Sequence, residues 1–388
     1  MYNTASKIIV TCNRRLSAYL EKEIIALGYT PVKVFLTGVE LQGTMQDCIK
    51  LNLNLRCASQ VLLSIKEFYC DHPEDLYDAV LDINWTSIIT SETYFSITSN
   101  VFHDSINNGM YANVKVKDAI VDVFKDKGLE RPSTGPLQDA AVIHLHWKHE
   151  DAELFLDTSG ETLAKHGYRR FPGRAPMLES LAACTIVAGK WDRASHFVNP
   201  MCGSGTLAIE AALMASNRAP GLLRNNYSFM YFVGYQEAIY LQEKEIIKNQ
   251  IQENNSIKII ASDISNQAIE VARANAEIAE VDHLIDFQIC DFRDTQVPQH
   301  EAGVVYINPE YGERLGEIEQ LEITYKAMGD FLKQSCQGYN AYIFTGNLDL
   351  AKKIGLKASR RIEFYNGKID CRLLEYEMYR GTKREVEK

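Results

Sequence analysis

The stretch Gly303-Val304-Val305-Tyr306-Ile307-Asn308-Pro309-Glu310-Tyr311-Gly312-Glu313-Arg314-Leu315 decides how the rest of the chain is read. Its apolar run, Val304 to Ile307, has the length of a buried parallel strand. The run stops at Asn-Pro, where proline has no N–H for a ladder and turns the preceding residue away from helix. At the carboxyl end of a central strand, such a turn faces the crevice in which open α/β sheets bind ligands. An exocyclic amine suits the residues found there. The lone pair of a nucleobase NH2 is delocalised into the ring, and two acceptors aimed at its hydrogens, the Asn308 side-chain oxygen and the Pro309 carbonyl, favour a pyramidal, nucleophilic nitrogen. Tyr311 could stack on a base drawn out of its strand. The plainer alternative is an Asn-Pro turn that closes a strand before Gly312.

Upstream, His196 to Val198 reads as a strand. It leaves through Asn199-Pro200-Met201-Cys202-Gly203-Ser204-Gly205-Thr206, and a helix follows from Leu207 to Ser216. Glycines at 203 and 205 let the backbone approach a ligand, and the helix start favours an anionic group. A dehydrogenase has the same strand, loop and helix, but the third glycine of its fingerprint and the acid about 20 residues on are missing. The next strand, Ile257 to Ser262, ends in Asp263, placed to hold the two hydroxyls of a ribose. Ile285 to Ile289 leads to Asp291, a further acid suited to an adenine amine. Either acid alone could be a helix cap or a solvated turn. Downstream, Ser359–Tyr365 and Cys371–Tyr379 flank Asn366-Gly367, a hairpin signal. The predicted fold class is therefore α/β, a Rossmann-like sheet whose last hairpin is antiparallel, where dehydrogenase sheets are usually all parallel.

Before this lies an α+β region. Strands at Lys7–Cys12, Val32–Phe35 and Val39–Leu41, with helices at Leu16–Leu27 and Met45–Asn54, suggest a ferredoxin-like sandwich, followed by an apolar strand at Val61–Ile65. A second unit has a strand at Tyr94–Asn100, a helix at Val114–Lys127 and a hairpin from Ala141 to Asp157. His144 and His146 share one face of that hairpin, which fits metal ligation or the polar face of a half-buried strand; no metal is expected. The run Lys165-His166-Gly167-Tyr168-Arg169-Arg170-Phe171-Pro172-Gly173-Arg174 carries one lysine and three arginines among aromatics and no acid, a pattern that suits phosphates and stacked bases or an ordinary linker. The 388 residues, 46% of them hydrophobic, allow two or three domains, and no apolar run is long enough to span a bilayer. The start of the chain lacks the basic and apolar regions of a signal peptide, and nine scattered cysteines without a Cys-x-x-Cys pair fit reduced thiols, so a cytoplasmic location is expected. A formal charge of −10 means that any nucleic-acid surface must be a local basic patch.

Two families are recognisable in these stretches. Ser99-Asn100-Val101-Phe102-His103 and Val114 to Asp122, with the following hairpin, resemble a THUMP domain, an RNA-binding module; the resemblance implies that Lys115 and Lys117 contact an RNA backbone. Residues 165–388 resemble a class I S-adenosylmethionine-dependent methyltransferase, close to the THUMP-containing group that methylates guanine N2 in large-subunit ribosomal RNA and is often labelled as N6-adenine-specific DNA methylase. Matching stretches are Gly167-Tyr168-Arg169-Arg170, Arg174 to Ala183, Asn199 to Thr206, Arg218-Ala219-Pro220-Gly221-Leu222, and 303–317. The resemblance implies a ferredoxin-like part at 1–70, a THUMP domain at 71–160 and a methyltransferase domain at 161–388. It implies S-adenosylmethionine as cofactor, S-adenosylhomocysteine as product, and a cofactor site of Asn199, Met201, Cys202, Gly203, Gly205, Thr206, Asp263, Ile264, Asp291 and Phe292. Asn308, Pro309 and Tyr311 are the expected catalytic residues; Lys115, Lys117, Lys165, Arg169, Arg170 and Arg174 the expected RNA contacts. The partner implied is RNA, ribosomal or in an assembling large subunit. Two positions depart from the group. Asn199 stands where it usually has Asp, losing a charge toward the cofactor's ammonium, and Glu310 replaces the second proline of Asn-Pro-Pro-Tyr. Methylation of adenine N6, or an RNA-binding assembly factor with a weakened site, are the competing readings.

Overall fold

The computed structural model describes residues 4–103, 106, 108–171, 177–252, 256–299, 301, 303–312 and 315–380. Two compact units divide the chain: one comprises 1–13, 20–163 and 224–249, the other 14–19, 164–223 and 250–388.

The first unit is built on one seven-stranded sheet. Its elements are β1 (Ser6–Thr11), α1 (Ser17–Ala26), β2 (Lys33–Phe35), β3 (Gly38–Gly43), α2 (Met45–Asn54), β4 (Gln60–Tyr69), α3 (Pro73–Leu81), β5 (Phe95–Phe102), α4 (Gly109–Asp126), β6 (Ala141–Lys148) and β7 (Asp151–Asp157). The strand order is β2-β3-β1-β4-β7-β6-β5, antiparallel except for β5 beside β6. The sequence suggests two small units here; the structure merges them, and β4 is the reason. Its apolar half pairs with β1 through Ile8↔Leu63 and Val10↔Val61 and with β7 through Leu62↔Asp157 and Leu63↔Leu156, and Lys66 to Tyr69 carry the β7 pairing on past a bulge. Helix α4 starts five residues before the expected Val114, because the Asn108 side chain accepts the Met110 N–H and caps it.

The second unit holds α5 (Glu179–Ala188), β8 (His196–Pro200) and α6 (Thr206–Ala215). After α7 (Glu237–Lys248), which belongs to the first unit, come β9 (Ile259–Asp263), α8 (Asn266–Ile278), β10 (Ile285–Ile289), β11 (Gly303–Ile307), α9 (Leu315–Ser335), β12 (Asn340–Thr345), α10 (Leu348–Lys353), β13 (Arg360–Asn366) and β14 (Ile369–Glu377). The order β10-β9-β8-β11-β12-β14-β13 is parallel through β12, with β14 antiparallel to both neighbours. Chain order reverses between β8 and β11, so the switch point lies between the glycine-rich loop and Asn308. Wholly buried rings align these strands: Phe197 stacks on Tyr306 at 5.0 Å and Tyr306 on Tyr342 at 4.5 Å. Such pairs contribute about 0.5–1.5 kcal/mol each beyond area burial. The Tyr306 and Tyr342 hydroxyls donate to the Thr185 and Gly189 carbonyls at 3.2 and 2.6 Å, fixing α5 behind the sheet. Helix α9 buries Leu321, Tyr325, Met328 and Leu332, one helical stripe, in the core shared with Val305, Ile307 and Ile343.

Candidate active site

The loop after β8 takes its shape from three left-handed residues in five: Met201 at φ 56°, Gly203 at 54° and Gly205 at 82°. A methionine there is strained, which is common where backbone geometry serves a ligand. A Cβ on Gly205 would lie 2.9 Å from the Ala272 Cβ, so only glycine lets α6 start this close to α8. At Gly203 a Cβ would meet nothing within 4 Å; its backbone faces open space. The Gly203 N–H donates to Asp263 Oδ2 at 3.0 Å, and Asp263 Oδ1 accepts the Ser265 N–H at 3.0 Å. Cys202 N–H bonds the Ser262 carbonyl, and Cys290 N–H the Asp263 carbonyl. Loop, ribose-acid candidate and the end of β10 are thus laced together, and each Asp263 oxygen keeps lone-pair capacity for a hydroxyl.

Asn199 ties this loop to the neighbouring strand. It is 1% exposed, and its Nδ2 donates to the Tyr306 carbonyl at 2.8 Å. That acceptor fixes the amide's orientation. Its Oδ1 is buried and has no partner among the described residues. An orphaned acceptor costs about 1–3 kcal/mol, which a donor from a bound ligand would relieve. The ammonium of an amino-acid-bearing cofactor fits that need, so Asn199, Gly203 and Asp263 suit the group the resemblance implies. Ile264, 72% exposed, projects beside Asp263 as an apolar surface. Thr206 is buried at the first turn of α6, and Met201 and Phe292 pack against the core beneath the loops. Asp291 differs from the expected free acid. Both its oxygens accept from the Arg293 guanidinium at 2.7 Å, which holds its carboxyl below the ordinary range. Burial pushes the thiol of Cys202 up, which favours its protonated form.

At the end of β11, Asn308 is half-buried, Pro309 buried and Glu310 exposed. The Tyr311 hydroxyl donates to Asn308 Oδ1 at 2.7 Å, leaving that oxygen a second lone pair. Burial pushes the Tyr311 phenol up, so it stays a donor. Among the described residues the Pro309 carbonyl accepts no hydrogen bond. The loop is held from outside: Tyr325 donates to the Glu310 carbonyl at 3.2 Å and contacts Thr345 Oγ1 at 2.9 Å, and Asn347 Nδ2 donates to the Tyr311 carbonyl at 3.1 Å. These contacts restrain the backbone where the second proline is missing, and the Glu310 side chain turns to solvent. Tyr325 and Asn347 have no mark in the sequence reading, although Asn347, following β12 directly, also sits on the carboxyl edge.

The expected RNA contacts separate. In the first unit, Lys115 Nζ lies 5.6 Å and 6.0 Å from the ring centres of Tyr111 and Tyr77, in a cleft of about 440 Å³. Lys117 pairs with Asp118 at 2.9 Å. Lys165 and Arg170 are exposed, whereas Arg174 lies outside the described residues. Arg169 must be corrected. Its guanidinium pairs with Glu179 at 2.9 Å and donates to the Met177 carbonyl at 2.5 Å, with the side chain 10% exposed. Next to it, Glu210 Oε1 contacts His166 Nδ1 at 2.7 Å and accepts the Tyr168 hydroxyl at 2.8 Å, all buried. Two residues of the basic run, His166 and Tyr168, thus form a buried polar clamp around a carboxylate in an otherwise apolar helix. His144 bonds Thr98 at 2.8 Å, and burial lowers it to about 4. Among the described residues no group of three or more metal-ligating side chains occurs, and no helix is long and apolar enough to cross a membrane.

Comparison with known proteins identifies the family. Residues 166–375 match the family described as RMKL-like, methyltransferase domain; residues 7–62 match the RlmL ferredoxin-like domain and 70–157 the THUMP domain. A curated relative, ribosomal RNA large subunit methyltransferase K/L of Syntrophotalea carbinolica, is 34% identical over 96% of this chain and 53% of its own. The chain spans about half the length of the curated relatives it matches. Among solved structures, SMU.472, a candidate methyltransferase complexed with SAH, superposes with a TM-score of 0.87 at 26% identity, covering 98% of this chain and all of the other. A Listeria monocytogenes protein named by prediction as an N6-adenine-specific DNA methylase gives 0.86 at 27% identity, with 97% of each chain covered. The chain belongs to the RMKL-like methyltransferase-domain family, with an RlmL ferredoxin-like domain and a THUMP domain ahead of that domain.

Proposed function

We propose that the protein transfers a methyl group from S-adenosylmethionine to the exocyclic amine of a base in RNA, guanine N2 of large-subunit ribosomal RNA being the substrate that suits it best. The observation that carries the reading is the switch point: a backbone cradle at Gly203 and Asp263 on one strand end, and two amine acceptors, Asn308 and Pro309, on the next. The cofactor supplies an electrophilic methyl on a sulfonium. Asp263 would hold its ribose, Asn199 Oδ1 its ammonium, and Ile264 a face of its adenine; Asp291, already paired with Arg293, would reach the adenine amine only from a lone pair left free. Asn308 Oδ1 and the Pro309 carbonyl take the two amine hydrogens, which localises the nitrogen lone pair. The Tyr311 ring stacks on the base, and its hydroxyl shares Asn308 Oδ1 with the amine or yields it. The amine's proton leaves to solvent after transfer, so the chain needs no strong general base.

RNA is favoured over DNA by the THUMP match and the cation at Lys115, and by the curated relatives being ribosomal RNA large subunit methyltransferases K/L. A ribosomal substrate in turn implies work in the cytoplasm. The competing idea of a weakened site loses one of its two motives, because Glu310 is turned outward and its loop is held by Tyr325 and Asn347, and keeps the other, Asn199. Calorimetry with S-adenosylmethionine, then transfer of labelled methyl to undermethylated ribosomal RNA and to DNA, tests the proposal. Binding with label in N2-methylguanosine is expected. Absence of cofactor binding supports an assembly factor, and label in DNA adenine alone overturns the substrate.

A further inference from the structure

The net charge of −10 calls for a local cationic surface, and the run at 165–174 does not provide all of it, since Arg169 is buried against Glu179. A second basic cluster lies in the methyltransferase unit itself. Residues 14–19 leave the first unit and pack with the second, where Tyr19 stacks on Phe364 of β13 at 5.7 Å. Arg14 and Arg15 bring their guanidinium carbons 5.3 and 4.3 Å from the centre of one ring, Tyr365. Arg15 is neutralised: it pairs with Asp370 at 2.5 Å and Glu363 at 3.2 Å. Arg372 shares the same two acids, at 2.6 and 3.3 Å. Three guanidinium groups face two carboxylates, and the surplus charge falls on Arg14, which is exposed and has no acid partner among the described residues.

The place of this cluster matters. β13 runs parallel to β12, so the β13–β14 turn projects from the same carboxyl edge as Asn308 and the glycine-rich loop. Rings link it to the base pocket: Tyr311 to Phe344 at 6.3 Å, Phe344 to Phe364 at 6.1 Å. Lys368, exposed at the turn, adds a further cation. A guanidinium lying on an aromatic face is desolvated on one side and pre-oriented, as phosphate recognition favours.

We infer that Arg14, supported by Tyr365 and the Arg15–Asp370 pair, holds a backbone phosphate of the RNA strand next to the methylated nucleotide. This rests on the reading of RNA as substrate. Arg14 is a positioning residue, acting on the strand and not on the reacting atoms. The test uses the full chain with undermethylated ribosomal RNA, measuring transfer kinetics and RNA binding across salt concentrations. Arg14→Ala should raise KM for RNA about fivefold to tenfold. It should also flatten the slope of log affinity against log salt by about 0.7, the loss of one single-strand phosphate contact. Thermal stability and S-adenosylmethionine affinity should not move, and Arg14→Lys should recover part of the loss. An unchanged KM and salt slope for Arg14→Ala, with wild-type transfer intact, overturns this inference and leaves the proposed function standing. Failure of the wild-type protein to methylate RNA removes both.

Discussion

Two loops leave neighbouring strands at the carboxyl edge, and they are built in opposite ways. The β8 loop gets its form from main chain: three left-handed residues, N–H groups bonded to Asp263 and Cys202, and open space where Gly203 lacks a side chain. The β11 loop gets its form from side chains: Asn308 and Tyr311 meet through a hydrogen bond, while Tyr325 and Asn347 clamp the carbonyls between and after them. The difference teaches where each is fragile. Adding atoms damages the first, whereas removing atoms damages the second.

The largest effect expected is at Asn308. Asn308→Ala deletes one of the two proposed amine acceptors and should lower kcat by at least about 10²–10³-fold, the scale seen for a lost transition-state contact. Cofactor affinity by calorimetry should stay nearly constant; retained turnover would remove Asn308 from the chemistry. Next comes the opposite error, added atoms. Gly205→Val places carbon 2.9 Å from the Ala272 Cβ on a left-handed backbone, so cofactor binding should fall below detection and stability should drop by about 2–3 kcal/mol in urea unfolding. Normal cofactor binding in that variant would break the contrast between the loops. A pair at Tyr311 sharpens it further. Tyr311→Ala should reduce kcat/KM about 10- to 100-fold by losing the stack. Tyr311→Phe keeps the ring, frees Asn308 Oδ1 and should change turnover by less than about threefold. Equal losses in both would mean that the hydroxyl, not the ring, does the work. Asn199→Asp is expected to give a modest gain in place of a loss. A charge in place of the orphaned Oδ1 should tighten cofactor binding about threefold to tenfold. Removing the donor to the Tyr306 carbonyl should cost about 1 kcal/mol of stability.

Much of the second unit could be read from sequence because its signals are local. An apolar run, a proline and a glycine pair fix strand ends within a few residues, and strand β10 lies at the residues predicted. Asp263 beside Gly203 follows from the same logic, since both end adjacent strands. What was not legible depends on partners far along the chain. The arginine in Gly167-Tyr168-Arg169-Arg170 looks free because its acid, Glu179, belongs to the next helix, and His166 and Tyr168 close on Glu210 over 40 residues away. One clue was available: a lone glutamate in Leu207-Ala208-Ile209-Glu210-Ala211-Ala212-Leu213 must find partners if that helix is buried. The joined N-terminal sheet was hidden for a similar reason. Strand β4 makes the join along most of its length, pairing Leu62 and Leu63 as well as Lys66 to Tyr69 with β7, and nothing local in its sequence names that distant partner. The Arg14–Tyr365 cluster brings together residues some 350 positions apart, beyond any local pattern.

The interleaving of the units also sets an order of events during synthesis. Ser228 Oγ accepts the Val142 N–H, Phe229 N–H reaches the Thr158 carbonyl, and α7 lies against α2, so residues 224–249 complete a layer begun some two hundred residues earlier. While translation proceeds at about 5–20 residues per second, the first unit stays unfinished until the emerging polypeptide has passed the glycine-rich loop. The first unit therefore cannot close when its last strand has been made, and a fragment ending near residue 163 should be prone to aggregate rather than fold as a stand-alone module.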